Sequence, residues 1–428
     1  MQDRPSRTLP YGTSEFYASL VDRCVQGALE ALGERNVEAV LLVGAPARGE
    51  ATVVSVPGGQ YSLSDVDLVC LSRPGADLTE LRGRLATWVA AANAELSSAC
   101  SGVDASVKTS GVDGQVYPLI ATFEMLRSPT VVWGDEAVLG RLPDIDIADV
   151  PAWDSLVLFH NRTVEQMLVS RRLGTPDGTP ALVDGLSLLY ASGKYLLDAV
   201  TALLFLEGDV PETYLARART FSGELLSRPE HAGLRTSLEE FLPDIEAWAR
   251  FKSAGDLSEL DALPGPPLGD ARALARACLR RYASCSGTLW RAILGGVVGV
   301  DAGGLAVEEV VALYSKLESL PRKVGRAVRT LRSPAGRAGL FSARRVLGRA
   351  TFASPRELAY ATAVLSYLSL ADGFDARKLG SLLDRCCPFS VPPDFGRSPL
   401  EAKRDVLVDR LSLFHASVLR GREIPERS

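Results

Sequence analysis

Three aspartates carry residue types and spacing that could do chemistry. In Ser64-Asp65-Val66-Asp67-Leu68 two carboxylates stand at i and i+2. On a strand that spacing puts both on one face. Val66, Leu68, Val69 and Leu71 mark the strand as buried, an expensive place for idle charge. Two carboxylates a few ångströms apart repel unless a cation lies between them. Hard oxygen donors suit Mg²⁺, with Mn²⁺ as the alternative. A third carboxylate, Asp104, lies in Val103-Asp104-Ala105-Ser106-Val107. If that segment neighbours the first strand, the three complete a site for two ions. Two ions about 3.5–4 Å apart can hold the attacking and leaving oxygens of an in-line displacement at phosphorus. Asp65 and Asp67 would then bridge both ions, and Asp104 would hold the ion that acidifies an acceptor hydroxyl. Asp113, in a glycine-flanked turn, is the alternative third carboxylate.

Upstream runs Val43-Gly44-Ala45-Pro46-Ala47-Arg48-Gly49-Glu50. It reads as a strand ending in a tight glycine turn, followed by a helix. Backbone N–H groups at a helix start bind phosphate well. Arg48 has two readings, on phosphate or paired with Glu50 or another local acid.

The elements that must position these residues follow from periodicity. Phe16, Leu20, Cys24, Val25, Ala28, Leu29 and Leu32 recur at helical spacing over Ser14 to Leu32. Val37 to Val43 and Val66 to Leu71 are apolar runs of strand length. Leu78 to Leu96 reads as a helix and Val103 to Val107 as a third strand. Leu119 to Leu126 and Val131 to Trp133 are candidates for further strands. The expectation is a loose tail over 1–13 and a small α/β domain with a mixed sheet over 14–150. After Trp153 the character becomes mainly helical: Leu156 to Val169, Leu182 to Leu206 and Leu234 to Trp248 form an expected helical domain, 151–262, completing a cleft. The Pro- and Gly-rich stretch Leu263 to Gly269 reads as a linker, and 270–428 as a second helical domain.

Bulk properties narrow the partners. Net charge is −5 and 23% of residues are charged, whereas a chain that grips nucleic acid over its whole surface is usually basic. The seven cysteines show no regular spacing, which argues against a zinc site or a disulfide framework and for small buried side chains. No charge-free run of about twenty apolar residues suggests a membrane span, and the polar Met1 to Pro10 does not read as a signal peptide, so the cytoplasm is the expected location. His160, His231 and His415 are scattered, without metal spacing. One local exception to the acidity stands out. Nine basic residues lie between Arg322 and Arg349 with no acid among them, which raises the prospect of an anionic partner: a phosphorylated acceptor, nucleic acid or a membrane surface.

Taken together, Gly44-Ala45, Asp65-Val66-Asp67 and Asp104 resemble the Gly-Ser, Asp-x-Asp and Asp pattern of the polymerase-β-like nucleotidyltransferases. Ala47-Arg48-Gly49-Glu50 and Ser64-Asp65-Val66-Asp67-Leu68 are similar to the versions in bacterial aminoglycoside and antitoxin-type nucleotidyltransferases. The resemblance covers about residues 14–150. It implies an α+β nucleotidyltransferase core followed by helical domains. It further implies two Mg²⁺ ions on Asp65, Asp67 and Asp104, and an NTP (ATP by default) held near Gly44, Ala45, Arg48 and Ser64. Lys194, in a largely apolar helix, is similar to the triphosphate-binding lysines of related helical domains; otherwise it is a lysine snorkelling from the core. Asn161 and Arg162 would face the same cleft. Two departures stand out. Ala45 occupies the usual serine position, losing a hydrogen bond worth about 0.5–1.5 kcal/mol. The Gly44–Asp65 gap is also long, and a hairpin turning at Pro57-Gly58-Gly59 would absorb it. The implied reaction moves a nucleoside monophosphate to a hydroxyl of a small-molecule acceptor (a sugar, aminoglycoside or other metabolite). The alternatives are nucleotidylation of a protein, synthesis of an oligonucleotide signal, or a degenerate fold that binds nucleotide or a partner protein without turnover.

Overall fold

The computed structural model describes residues 14–109, 117–174, 181–372 and 374–419. Asp113 and the expected tail 1–13 lie outside the described residues. Contacts divide the chain into two units. The first comprises Met1–Pro151, Gly208–Thr220 and Glu246–Leu263; the second comprises Ala152–Glu207, Phe221–Ile245 and Pro264–Ser428.

The first unit opens with α1 (Glu15–Leu32), started by the Ser14 hydroxyl accepting from the Tyr17 N–H and stopped at Gly33. β1 (Val37–Leu42) follows. β2 (Val53–Val56) and β3 (Gly59–Ser62) then form the hairpin that Pro57-Gly58 was expected to turn, with Gly58 at φ 98°. β4 (Val66–Ser72), α2 (Leu78–Glu95) and β5 (Val103–Thr109) complete the central part. β6 (Thr130–Gly134) joins the mixed four-stranded sheet, whose order is β5-β4-β1-β6. β1 is antiparallel to β4 and β6, and β4 is parallel to β5.

One face of this sheet supplies Val40, Leu42, Val66, Leu68, Cys70, Val103 and Val107 to a core shared with α1 and α2. The other face carries a smaller cluster around Ala39, Leu41, Val69 and Leu71. Alternation puts Asp67 on this second, less covered face.

Two local expectations are corrected. The segment Leu119 to Leu126 is not a strand but lies mostly in α3 (Ile120–Arg127). Ala121, Glu124, Met125, Leu126 and Arg127 are strong helix formers, and the apolar residues do not alternate. The helix expected after Gly44 is only a four-residue 3₁₀ turn, Ala45–Arg48, closed by Gly49 at φ 78°. Its Gly49 and Glu50 N–H groups are spent on Pro46 and Ala45 carbonyls.

The rest of the chain is mainly helical. In order come α4 (Ala152–Gly174), α5 (Ala181–Leu206), α6 (Tyr214–Thr220), α7 (Ala232–Leu238), α8 (Leu242–Ala254), α9 (Ala271–Val298) and α10 (Val307–Leu313). Then follow α11 (Leu320–Arg332), α12 (Pro334–Arg337), α13 (Ala343–Arg349), α14 (Pro355–Leu368), α15 (Ala376–Cys386) and α16 (Leu400–Phe414). Within the second unit α5 packs along both α4 and α9, and α14 packs on α4 and α9. Residues expected in two helical domains, 151–262 and 270–428, therefore share one core, built on Phe159, Leu189, Tyr195, Tyr282, Trp290 and Leu365. Residues 208–220 and 246–263 belong instead to the first unit. By length and composition Leu182–Leu206 could cross a bilayer, but 89% of its apolar window is buried inside the protein. All seven cysteines are free and buried.

Candidate active site around Asp65, Asp67 and Asp104

Parallel pairing of β4 with β5 sets Asp67 directly beside Asp104 in register. Neighbouring strands lie about 4.8 Å apart, so both carboxylates leave the same face as adjacent groups. Asp67 is half-buried and Asp104 exposed. At the end of β1 the Val43 N–H donates to the Asp67 carbonyl at 3.0 Å, which brings Gly44 alongside. Gly44 sits at φ 74°, and a Cβ there would come within 3.3 Å of Asp67 Oδ2. Both facts require glycine: the backbone is left-handed, and the carboxylate fills the space a side chain would need.

Asp65 precedes β4 and is held from two sides. The Tyr17 hydroxyl of α1 donates to its backbone carbonyl at 2.8 Å. Its carboxylate faces Gly102, where a Cβ would lie 3.1 Å from Asp65 Oδ1. Asn93 of α2 pins the start of β5, accepting from the Val103 N–H at 2.9 Å and donating to the Val103 carbonyl at 2.8 Å. Burial, reinforced by the negative Asp67 and Asp65, pushes the Tyr17 phenol well above its ordinary range. The donor chemistry suits a hard divalent cation. Among the described residues, however, no group of three or more His, Cys, Asp or Glu side chains is gathered into a cage.

The other residues singled out in the sequence have different surroundings. Arg48 has a side chain only 2% exposed, with Nη1 3.1 Å from Glu124 Oε2 and Nε 3.6 Å from Glu50 Oε2. Neither contact has hydrogen-bond geometry, and Arg48 Nε, Arg48 Nη1 and Glu50 Oε2 lack hydrogen-bond partners. Of its two readings, the local acid is the one seen. Glu50 Oε1 accepts from the Tyr214 N–H at 2.8 Å and from the Ser253 hydroxyl at 3.2 Å. Glu124 is clasped again by Arg217 Nη2 at 2.7 and 2.9 Å. Burial works against the Arg217 charge, but Glu124, Tyr214 and Glu50 together outweigh it and raise the guanidinium.

Ser64 is buried, its hydroxyl accepting from the Thr52 N–H at 2.9 Å and from Lys252 Nζ at 3.0 Å. Ala45 opens the 3₁₀ turn and is partly exposed.

Lys194 lies in α5 of the second unit, whereas the three aspartates belong to the first. It neighbours Glu165; burial pushes that carboxyl up, but Arg162, His415 and Lys194 together hold it well below the usual range. Arg162 is engaged by Asp198 and Glu165, and Asn161 Oδ1 accepts from the Tyr360 hydroxyl at 2.7 Å. An open cleft of the first unit is lined by Phe123, Arg127, Asp144, Asp146 and Val210, and not by Asp65, Asp67 or Asp104.

Glu124, Arg217 and Lys252 escaped sequence reasoning. The one local signal was Trp248-Ala249-Arg250-Phe251-Lys252, which puts a lysine on an apolar helical stripe four residues after a buried Trp248. Comparison with family models, curated proteins and solved structures finds no match to this chain.

Proposed function

We propose that this protein is a Mg²⁺-dependent nucleotidyltransferase. It would move a nucleoside monophosphate from an NTP to a hydroxyl of a small-molecule acceptor and release pyrophosphate. The observation that carries the reading is the register of Asp67 with Asp104 on parallel strands, with Gly44 closing on Asp67 from β1. Asp65, Asp67 and Asp104 would hold the ions, which when bound neutralise charge on the leaving pyrophosphate and acidify the acceptor hydroxyl. Tyr17 and Asn93 are positioning residues: one fixes the backbone at Asp65 and the other fixes the start of β5. The net charge of −5 supports a small acceptor over a polymer.

The test is incubation with each NTP and Mg²⁺ against a panel of sugars, aminoglycosides and other hydroxyl acceptors, reading pyrophosphate. Turnover that disappears in Asp67→Asn while the thermal melt is kept supports the proposal. Full turnover by Asp67→Asn would remove it. A second reading, a nucleotide- or partner-binding protein without turnover, is favoured by Ala45 at the head of a 3₁₀ turn and by the inward-facing Arg48. Under that reading Mg²⁺-NTP binds and pyrophosphate never appears.

A further inference from the structure

From Leu320 to Arg349 the second unit holds no acidic residue. Three basic side chains of this stretch turn inward to carbonyls. Lys323 Nζ donates to the Ser315 carbonyl at 2.6 Å, Arg345 reaches the Asp384 carbonyl at 3.3 Å, and Arg349 reaches the same carbonyl at 2.7 Å. Arg322, Arg326, Arg329 and Arg332 of α11 and Arg344 of α13 stay exposed. Arg326 pairs with Glu318 at 2.7 Å, and among the described residues no acid pairs with the other four. Like charges gathered this closely repel one another and favour an anionic partner.

Charge is half of the pattern. Among the described residues six large apolar side chains are exposed, and three of them, Leu320, Val324 and Leu347, at 52%, 40% and 53%, lie in this stretch. On α11 Ala327 is the one buried apolar side chain, and Val328 and Leu331 are half-buried. At about 100° per residue, Leu320, Leu331, Val324 and Val328 form a band about 80° wide beside the buried Lys323–Ala327 line. The four arginines occupy the next band, about 120° wide. An aliphatic band and a basic band thus run side by side along the helix, neither fully covered by the protein. Helix α13 packs on α11 and repeats the pairing, with Arg344 and Leu347 both exposed and three residues apart on one face.

The two bands together select the occupant. A nucleic-acid backbone would meet the arginines and leave Leu320, Val324 and Leu347 in water. A second copy of the chain on this face would cover the aliphatics but set arginine against arginine. An anionic bilayer surface answers both: guanidinium forks bind headgroup phosphates, and the aliphatic side chains pass below them to the acyl boundary. We infer that α11 and α13 form a peripheral docking face for an anionic phospholipid bilayer. The face belongs to the second unit and does not depend on the aspartate site.

The experiment is co-sedimentation of the full chain with vesicles of phosphatidylcholine alone and of phosphatidylcholine with about one third phosphatidylserine. The expected result is binding at least about a hundredfold tighter to the anionic vesicles, weakening as salt rises. Arg322→Gln/Arg329→Gln/Arg332→Gln should lose on the order of a hundredfold, about fivefold per arginine, and lysine at the same three positions should keep most of the binding. Leu320→Ser/Val324→Ser, with every arginine in place, should weaken it at least about threefold. Inorganic phosphate at the concentration of the lipid should not release the chain. The exposed Arg82→Gln in α2 should change nothing, and thermal melts should show all variants folded. The inference is overturned if anionic vesicles are ignored, if the glutamine or the serine variant binds as the parent does, or if inorganic phosphate releases the chain. It is overturned equally if the same arginines hold a random-sequence duplex more tightly than the vesicles, or if light scattering without lipid finds a dimer that Leu320→Ser/Val324→Ser dissociates.

Discussion

Replacing Arg48 with methionine separates the two roles this residue could have. Methionine keeps the apolar stem and deletes both ionic contacts, to Glu124 Oε2 at 3.1 Å and to Glu50 Oε2 at 3.6 Å. Glu124 retains Arg217 and keeps its charge balanced. Glu50, 3% exposed, retains two hydrogen bonds, from the Tyr214 N–H and the Ser253 hydroxyl, and the attraction of the Arg217 charge. Removing one partner of a buried pair costs about 3–5 kcal/mol. The two surviving hydrogen bonds put this case near the lower end, at about 3 kcal/mol, a large share of the roughly 5–15 kcal/mol that holds a domain together. Urea unfolding followed through the buried Trp248 of the same unit reads that loss. The loss should persist in 0.5 M salt, because a buried pair is poorly screened. Calorimetric titration with Mg²⁺-NTP, run below the unfolding transition, should show affinity changed less than threefold. A stability loss under about 1 kcal/mol with a tenfold or greater loss of NTP affinity would refute this reasoning and return Arg48 to the phosphate.

Other outcomes follow from the same geometry. If the proposed reaction holds, Asp104→Asn should keep most of the Mg²⁺-NTP affinity and lose at least a hundredfold in kcat, because the ion it would hold would act chiefly on the acceptor in the transition state; parallel collapse of affinity, seen by calorimetry, would contradict that role. Ala45→Ser should tighten NTP binding a few-fold, the scale of one added hydrogen bond in a competition assay. His160, fully buried with Nε2 2.6 Å from the Tyr314 hydroxyl, is pushed down to about 3 by burial and then by Arg356. A depressed histidine takes up its proton more readily in the unfolded chain. Its contribution is therefore complete above about pH 6.5 and lost as pH falls from there toward 3. By pH 4.5 the parent should lose on the order of 2–3 kcal/mol more than His160→Gln does, measured as the difference between their denaturation curves.

Much of the first unit was legible in the chain itself. Ser14 caps α1, Gly44 ends the run that opens as β1, Pro57-Gly58 turns a hairpin, and Asp65 and Asp67 flank Val66 at the start of β4. Capping, turn chemistry and side-chain alternation are properties of contiguous residues, so a linear reading reaches them. The alternation that exposed the two aspartates could not say which strand lies beside them; the parallel β4–β5 register that sets Asp104 next to Asp67 is decided by packing. The same limit explains α3, where helix propensity mattered more than a short apolar run. It explains Arg48 as well, because Glu124 and Arg217 are 93 residues apart and meet only in the folded unit. Lys252 reaches Ser64 across 188 residues of sequence. The basic run is the sharpest case. Its nine charges are evident in sequence, yet Lys323, Arg345 and Arg349 turn in to backbone carbonyls while Arg322, Arg329 and Arg332 face solvent. Which charges satisfy the interior and which stay in solvent depends on carbonyls brought close by tertiary packing, and that information is not local to any stretch of the chain.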